Sequence, residues 1–302
     1  MQRIFFSRFV NYMDEIARLG SIRRAAEKLN VSASAIDKQL LRAEEELGVS
    51  LFERHPRGVR LTSAGELLMY RLRNWQKEMR AVGTEIEELK GLRRGEVRIA
   101  APQEAVLSFL PQALSGFLHD NPKIANSVQV VESDRVRQMI IDGEADVGLT
   151  FSPRPLPGVT VLRELPFQVL ALLPDDGSNR KSVSLDRFFQ RPTVMPDAAS
   201  HLRDILDIAA ARAGVRIAPA LTSNNLELLR QMVREGCGHG LIAVCPGAFQ
   251  GPGAGLVALP LRGAGLPERV LSLIAPRDAS SALAAVLAKR HFEIFIDGLR
   301  AA

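Results

Sequence analysis

The segment from Gly20 to Gly65 constrains the fold of this chain more than any other part of its sequence. Two short amphipathic helices are predicted on either side of a tight turn, and Ser32 or Ser34 is expected to cap the second helix. A turn at Pro56 to Gly58 then separates two short extended runs. The pattern predicts a helix-turn-helix followed by a basic hairpin, the wing of a winged helix-turn-helix.

A helix-turn-helix places the first residues of its second helix against base edges in the major groove of DNA. Those residues are small and polar in this chain, so the helix end can approach a duplex closely. The basic residues of the wing can reach the minor groove or the phosphates. With the motif at about Ile22 to Leu41, the predicted DNA contacts are Arg23, Ser32, Ser34, Lys38, Arg42, Arg54, Arg57 and Arg60.

The excess positive charge is confined to the front of the chain. Residues 1–95 hold 18 Lys and Arg against 13 Asp and Glu, whereas residues 96–302 hold 21 of each kind. An excess of this size also falls within ordinary variation, but its location is typical of a nucleic-acid-binding module on a neutral body. The length of 302 residues independently predicts at least two compact units.

A long helix is predicted directly after the wing, from Ala64 to about Gly91, with a hinge at residues 91–95. Apolar residues recur along it at alternating spacings of four and three, the a/d stripe of a coiled coil. An amphipathic helix packed on its own chain is the alternative, but the narrow stripe between charged flanks favours dimerisation. The predicted dimer contacts are Leu68, Leu72, Trp75, Met79, Val82, Ile86 and Leu89.

Strand-like and helix-like segments alternate after the hinge, which predicts an α/β region with mostly parallel strands. A strand at residues 96–101 and a helix at residues 107–118 open this region. The alternation suggests two lobes joined by crossing strands. Lobe 1 is expected at about residues 95–165 and 267–302, and lobe 2 at about residues 166–266.

Catalytic and metal-binding patterns do not stand out. The sequence has no G-x-S-x-G elbow and no P-loop, and the glycines at 236–240 follow a predicted helix instead of opening one. Cys237 and Cys245 are too few for a disulfide framework, and with His239 they form only an irregular candidate metal set. We therefore expect two buried cysteines, no metal and no cofactor.

Membrane insertion and export are not expected. No apolar run reaches the ~18 residues that a membrane-spanning helix needs. The N-terminal segment carries Asp14 and Glu15 and no small-residue cleavage pattern, unlike a secretion signal. These features favour a cytoplasmic protein without a membrane partner.

A set of six short motifs lies across the front of the chain. They are Gly20-Ser21, Arg24-Ala25-Ala26-Glu27-Lys28-Leu29, Val31-Ser32, Glu44-Glu45-Glu46-Leu47-Gly48-Val49, Leu51-Phe52-Glu53-Arg54 and Leu61-Thr62-Ser63-Ala64-Gly65. These motifs resemble those of the LysR-type transcriptional regulators. The resemblance implies a winged helix-turn-helix at residues 1–65, a linker and dimerisation helix at 66–94, and an effector-binding domain at 95–302 similar to periplasmic binding proteins. One departure is Asp37, where the family often has serine.

Ligands of two-lobed α/β domains bind where the strands end and helices begin. This criterion selects Gln103, Glu104, Thr150, Phe151, Ser200, Thr222 and Ser223 as candidate effector contacts. An ionised Glu104 would oppose a bound carboxylate unless a cation balanced it, and it would suit an amine or hydroxyl group. It could equally complement only the dipole of its own helix, and Ser223 could simply cap the next helix.

The resemblance implies a DNA-binding transcription regulator controlled by a small effector between the lobes, not an enzyme. Such regulators are dimers, or tetramers built from dimers, that bind pseudo-palindromic double-stranded DNA. The alternative is a metabolite-binding protein or an enzyme built on the same α/β lobes.

Overall fold

The structure is a computed structural model. It describes residues 8–55, 58–89, 95–151, 156–198, 200–212, 214–263, 266, 269–277 and 282–301. The chain divides into two compact units, one formed almost entirely by residues up to Arg94 and the other by residues from Gly95 onward.

The first unit packs helices and a two-stranded hairpin around one small core. Its elements are α1 (Arg8–Leu19), α2 (Ile22–Leu29), α3 (Ala33–Leu47), β1 (Phe52–His55), β2 (Gly58–Leu61) and α4 (Ser63–Leu89). Met13, Ala25, Ile36, Phe52 and Met69 are among its buried core residues, so every helix and the hairpin contribute to the core. This is the winged helix-turn-helix that the sequence predicts.

Capping residues set the turn between α2 and α3. Asn30 ends α2 in the left-handed conformation, with φ of 54°, a conformation that asparagine tolerates better than most residues. The hydroxyl of Ser32 accepts a hydrogen bond from the Ala35 amide at 3.2 Å and so caps α3. Gly48, with φ of 68°, ends α3 in the same way.

The apolar stripe of α4 is divided between two environments. Leu68 and Leu72 pack against the core of the first unit. Trp75 and Val82 are 57% and 41% exposed. The predicted seam therefore does not act as one surface: its first two residues belong to the core of their own unit. The side chains of Ile86 and Leu89 and the hinge residues 91–94 lie outside the described residues.

The second unit is an α/β domain. Its strands are β3 (Glu96–Ala101), β4 (Ala125–Val130), β5 (Val147–Thr150), β6 (Val159–Pro174), β7 (Val183–Ser184), β8 (Val194–Pro196), β9 (Leu221–Ser223), β10 (Gly240–Val244), β11 (Leu256–Arg262) and β12 (Arg269–Pro276). Its helices are α5 (Gln103–Ser108), α6 (Leu110–Asp120), α7 (Ser133–Ile141), α8 (Leu185–Phe189), α9 (His201–Arg212), α10 (Leu226–Arg234) and α11 (Leu283–Ala301).

One sheet of eight strands runs through this unit in the order β4-β3-β5-β12-β6-β11-β7, with β10 also paired to β6. β8 and β9 form a separate parallel pair. β3 is parallel to β4 and β5, but β6 is antiparallel to β10, β11 and β12. The expectation of mostly parallel strands was therefore wrong. The chain crosses between the lobes in opposite directions along β6 and β12, which makes the central pairings antiparallel.

Strand β6 connects the two lobes without a break. Its first half pairs with β12, and its second half pairs with β10 and β11. A continuous core includes Phe117 and Phe292 in lobe 1 together with Phe188 and Leu206 in lobe 2. The lobes are thus parts of one packed unit.

The predicted helix at residues 107–118 is in fact two helices. α5 ends at Ser108 and α6 begins at Leu110, with the buried Phe109 between them. Pro111 stands in the first turn of α6, where its missing N–H leaves no helical hydrogen bond unmade. α5 starts directly after β3, so Gln103 and Glu104 stand at the end of that strand.

The cysteines differ from the expectation. Cys245 is buried, whereas Cys237 is exposed in the turn after α10. The prediction of two buried cysteines was wrong for Cys237, because the chain turns at the surface before β10. Among the described residues, no helix has the length and apolar character needed to cross a membrane.

Candidate DNA interface and interlobe site

The start of α3 is an exposed surface of small polar residues. Ser32 and Ser34 are exposed, and their hydroxyl oxygens lie 3.1 Å apart. Lys38 is also exposed one turn further on, while Ile36 anchors the helix in the core. Small side chains therefore line the N-terminus of α3 as far as the half-buried Asp37, which stands next to Lys38.

Two predicted arginine contacts have exposed carboxylate partners on their own helices. Arg23 pairs with Glu27 at 3.2 Å, and Arg42 pairs with Glu46 at 3.0 Å. Exposed pairs of this spacing contribute little stability. Either guanidinium can therefore leave its carboxylate for a DNA phosphate at small cost.

The wing is docked against the end of α1. The amide of Val59 donates to the carbonyl of Gly20 at 3.0 Å. Arg60 is exposed on β2, opposite Glu53 on β1. Arg54 lies in β1, although its side chain is not described, and Arg57 lies outside the described residues.

A cavity of about 710 Å³ separates the wing from the beginning of α2. Its lining includes Arg18, Arg24, His55 and Arg60, with Glu66 as an acidic member. The predominance of basic groups gives this side of the unit the charge that DNA phosphates require.

The second unit brings residues of both lobes together through Gln103. Its side-chain amide donates to the carbonyl of Asn224, and its side-chain oxygen accepts from the Leu226 amide at 2.8 Å. Leu226 is the first residue of α10, so Gln103 supplies an acceptor to a helix N-terminus across the lobes. Gln103 therefore links lobe 1 to lobe 2 by hydrogen bonds. The region around Gln103, Glu104, Phe151 and Arg269 is called the interlobe site below.

Glu104 forms a buried ion pair that the sequence did not indicate. Its carboxylate lies 3.1 Å from the guanidinium of Arg269, and these residues are 7% and 5% exposed. The guanidinium also lies 4.1 Å from the centre of the Phe151 ring, a cation–π contact. Arg269 is the cation that balances Glu104, so this carboxylate by itself does not exclude an acidic effector.

Thr150 lies beneath the interlobe site and helps to hold Phe151. It is fully buried, and its hydroxyl donates to the carbonyl of Ser133 at 3.1 Å. The Ser133 hydroxyl in turn accepts from the Phe151 amide at 3.1 Å. The geometry disagrees with an effector contact by Thr150 and gives it the role of holding Phe151 in place.

The hydroxyls of the lobe 2 serines accept hydrogen bonds from backbone amides close to them in the sequence. The hydroxyl of Ser200 accepts from the Leu202 amide at 3.3 Å, and that of Ser223 accepts from the Asn225 amide at 3.1 Å. Asn225, not Ser223, caps α10 through the Leu228 amide at 2.9 Å. Thr222 is exposed in β9. Of the candidate effector contacts in lobe 2, Thr222 is the exposed one.

Further acidic groups surround the interlobe site. Burial, together with the neighbouring Glu104 and Asp197, raises the pKa of the Glu132 carboxyl above its usual value, although His201 opposes this. His201 of lobe 2 lies 4.0 Å from Asp134 of lobe 1. The site therefore holds more carboxylates than cations among these residues.

Arg269 and Glu132 are the site residues that sequence reasoning missed. Arg269 is separated from Glu104 by 165 positions, and no local pattern marks it as a partner. Glu132 could have been found, because it stands immediately before α7 at the end of β4, the position used to choose the other candidates.

Two family models match the chain and together span most of it. "Bacterial regulatory helix-turn-helix protein, lysR family" matches residues 8–66, and "LysR substrate binding domain" matches residues 90–290. The second match alone exceeds half of the chain.

Known proteins similar to this chain are regulators. A probable nitrogen assimilation transcriptional activator from Synechococcus elongatus is 30% identical over 226 residues, which is 73% of each chain. A RuBisCO operon transcriptional regulator from Allochromatium vinosum is 27% identical over 239 residues, 78% of this chain and 79% of the relative.

Solved structures of full-length regulators share the fold. A full-length OxyR variant from Pseudomonas aeruginosa superposes with a TM-score of 0.62 at 18% identity, covering 97% of this chain and 93% of that one. Full-length CbnR in complex with its target DNA gives a TM-score of 0.60 at 19% identity, covering 95% and 98%. The chain therefore belongs to the LysR family of transcriptional regulators, with a DNA-binding helix-turn-helix and an effector-binding domain.

Proposed function

We propose that this regulator reads DNA with the start of α3 and the wing, and that a small molecule at the interlobe site controls it. The observation that carries the proposal is the exposed N-terminus of α3, where Ser32, Ser34 and Lys38 are accessible beside a basic wing. The proposed DNA contacts are Arg23, Ser32, Ser34, Lys38, Arg42, Arg54, Arg57 and Arg60. The site of action is the cytoplasm, where this DNA lies.

The DNA-bound form is a dimer or a dimer of dimers on a pseudo-palindromic operator. A two-fold pair of recognition helices reads two half-sites one helical turn apart, so dimer symmetry and operator symmetry correspond. The exposed Trp75 and Val82 supply an apolar surface on α4 for the pairing. Leu68 and Leu72 contribute indirectly, because they fix α4 to its own unit.

The effector is a small polar molecule with an amine or hydroxyl group. Arg269 balances Glu104, and Glu132 is a further acidic group at the site. The raised pKa of the Glu132 carboxyl reflects a cost of placing negative charge here, and a cationic group would lower that cost. The proposed effector contacts are Gln103, Glu104, Phe151, Ser200, Thr222 and Ser223, with Glu132 added to them.

The DNA-reading surface is tested by an electrophoretic mobility shift with the region upstream of the gene for this protein. The full chain should bind that region more tightly than a scrambled duplex, and its affinity should fall as salt increases. Lys38→Ala and Arg60→Ala should each reduce the slope of log affinity against log salt by about one.

Arg212→Ala is the matched control, because Arg212 is exposed at the end of α9 in the other unit. It should leave affinity and salt slope unchanged. Equal binding to the upstream region and to the scrambled duplex would contradict the proposal.

A further inference from the structure

Lobe 2 contains a cavity of about 520 Å³ that is separate from the interlobe site. Pro192 and His239 line it, and they precede β8 and β10. Asp197 and Ser200 of the interlobe site follow the opposite end of β8. The cavity therefore lies at the far end of this strand from the proposed effector. Its volume falls within the ~300–1,000 Å³ range of small-molecule pockets.

Basic groups dominate the lining of this cavity. Arg180, Arg187, Arg191 and His239 line it, and Asp176 is the acidic residue among them. Asp176 pairs with Arg180 at 2.5 Å, and hydrogen bonds from Ser178, aided by that pair, lower the pKa of the Asp176 carboxyl to about 2. Asp176 thus stays ionised at neutral pH and balances one arginine.

Arg187 and Arg191 provide the excess positive charge. Both are exposed at the cavity, and within the described parts of the chain neither has a carboxylate within ion-pair distance. Two guanidinium groups at one cavity are suited to an oxyanion, because each can donate two parallel hydrogen bonds to it.

His239 is held with one ring nitrogen available. Its backbone is fixed on both sides, because its amide donates to the Pro192 carbonyl at 2.8 Å and its carbonyl accepts from the Val194 amide at 2.8 Å. The ring Nδ1 donates to the carbonyl of Phe188 at 2.9 Å. Nε2 is then the nitrogen that remains for a ligand in the cavity: it accepts from a ligand hydroxyl when the ring is neutral and donates to an anionic oxygen when the ring is protonated.

Burial and the neighbouring arginines oppose the charged form of the His239 ring. Burial lowers the pKa of the His239 imidazole, and the charges of Arg191 and Arg180 lower it further, against the hydrogen bond to Phe188. Asp176 and Arg187 are the other charged groups lining the cavity. A bound anion would offset the arginine charges and so make protonation of the imidazole easier.

We propose that the lobe 2 cavity binds a phosphate group, free or on a small metabolite, through Arg187, Arg191 and the Nε2 atom of His239. This gives the effector-binding domain a second ligand site, independent of the interlobe site. The room in the cavity beyond that needed by one phosphate accommodates the rest of a small phosphorylated molecule.

Calorimetric titration of the full chain with inorganic phosphate and with glycerol 3-phosphate tests the proposal, at ionic strength matched with chloride. At least one of the two should bind saturably at one site per chain. The tighter of them identifies the source as free phosphate or a phosphorylated metabolite. The double variant Arg187→Gln/Arg191→Gln should weaken binding at least tenfold. Arg212→Gln, on the exposed end of α9 in the same lobe, should leave it unchanged.

A second readout follows the His239 ring by NMR during a pH titration. The phosphate concentration that just saturates the wild type should raise the pKa of His239 there and should raise it less in the double variant. The proposal is overturned if neither probe binds saturably, if citrate binds as tightly as the phosphates, if Arg212→Gln weakens binding equally, or if the pKa of His239 does not respond.

Discussion

The absence of a side chain at Gly65 allows helix α4 to pack closely against the wing. Gly65 lies in the first turn of α4 against the hairpin, and a Cβ atom built on it would overlap the carbonyl oxygen of Leu51 and the side chain of Leu61. Its φ angle is not among the positive ones, so glycine is needed for space and not for backbone freedom. Close approach of α4 to the hairpin depends on this position.

Gly65→Ala should destabilise the first unit, by about 1–3 kcal/mol, although alanine is intrinsically the better helix former. Gly298→Ala is the matched control in α11, where a new Cβ meets nothing within 4 Å. It should stabilise the second unit by about 0.5–1 kcal/mol. Calorimetric unfolding of both variants measures the two effects, and stabilisation by Gly65→Ala would show that the hairpin moves aside.

The buried pair of Glu104 and Arg269 gives a second prediction for single residues. Arg269→Met should cost about 3–5 kcal/mol in the free energy of unfolding, because it leaves the Glu104 carboxylate buried without its cation. The double variant Glu104→Gln/Arg269→Met should recover most of that loss, since no charge remains buried. Urea denaturation provides the measurement. Wild-type stability in Arg269→Met would mean that the pair contributes nothing.

Helix α4 shows where a pattern within one element becomes ambiguous. Its alternating stripe predicts a single seam, but Leu68 and Leu72 pack in the first unit while Trp75 and Val82 remain exposed. A helix can bury the first residues of an apolar stripe in its own chain while the later residues contact a second copy. The spacing of the apolar residues does not show where intrachain packing ends and dimer contact begins.

Replacing Trp75 and Val82 together by glutamate should convert a dimer to a monomer, because charge at seam positions opposes pairing. The first unit should stay folded, because both side chains are exposed. Leu67→Gln is the control, since Leu67 is 61% exposed on the same helix but off the stripe. Sedimentation velocity reports the mass. A dimer that survives the double change would rule out this surface, as would equal loss in Leu67→Gln.

Helices and strands of the second unit were predicted more reliably than their pairing. The strand at 96–101 has the bounds expected from a short apolar run. The helix at 107–118 was wrong because Phe109 and Pro111 belong to a break that apolar spacing alone does not show. The mixed strand directions depend on how the chain crosses between lobes, which is a property of the whole domain.

The whole effector-binding domain decides the charge of its ligand. Glu104 and Arg269 cancel, while Glu132, with its raised pKa, adds acidity from a third part of the chain. A thermal-shift screen of the full chain should therefore find stabilisation by small amines or polyols, at no more than a few degrees for millimolar binders.

Stabilisation by an amine should increase as pH rises through the elevated pKa of Glu132, because the ionised carboxylate binds the cation. Glu132→Gln should remove this pH dependence, and Arg212→Gln should retain it. Preferential stabilisation by a dicarboxylate would contradict the proposed effector class. Loss of the ligand-induced thermal shift in Gln103→Ala would place the ligand beside Gln103.

The sequence by itself determined the helix-turn-helix, its caps, the wing and the alternation of the second unit, because these features arise from interactions between residues close along the chain. Tertiary structure alone decided that Arg269 balances Glu104 across 165 positions and that Gln103 reaches the start of α10 across 123 positions. It also decided that Leu72 is core while Trp75 is surface. Such contacts depend on how elements distant in the sequence pack together. Local periodicity does not show which distant residue will lie next to a given side chain.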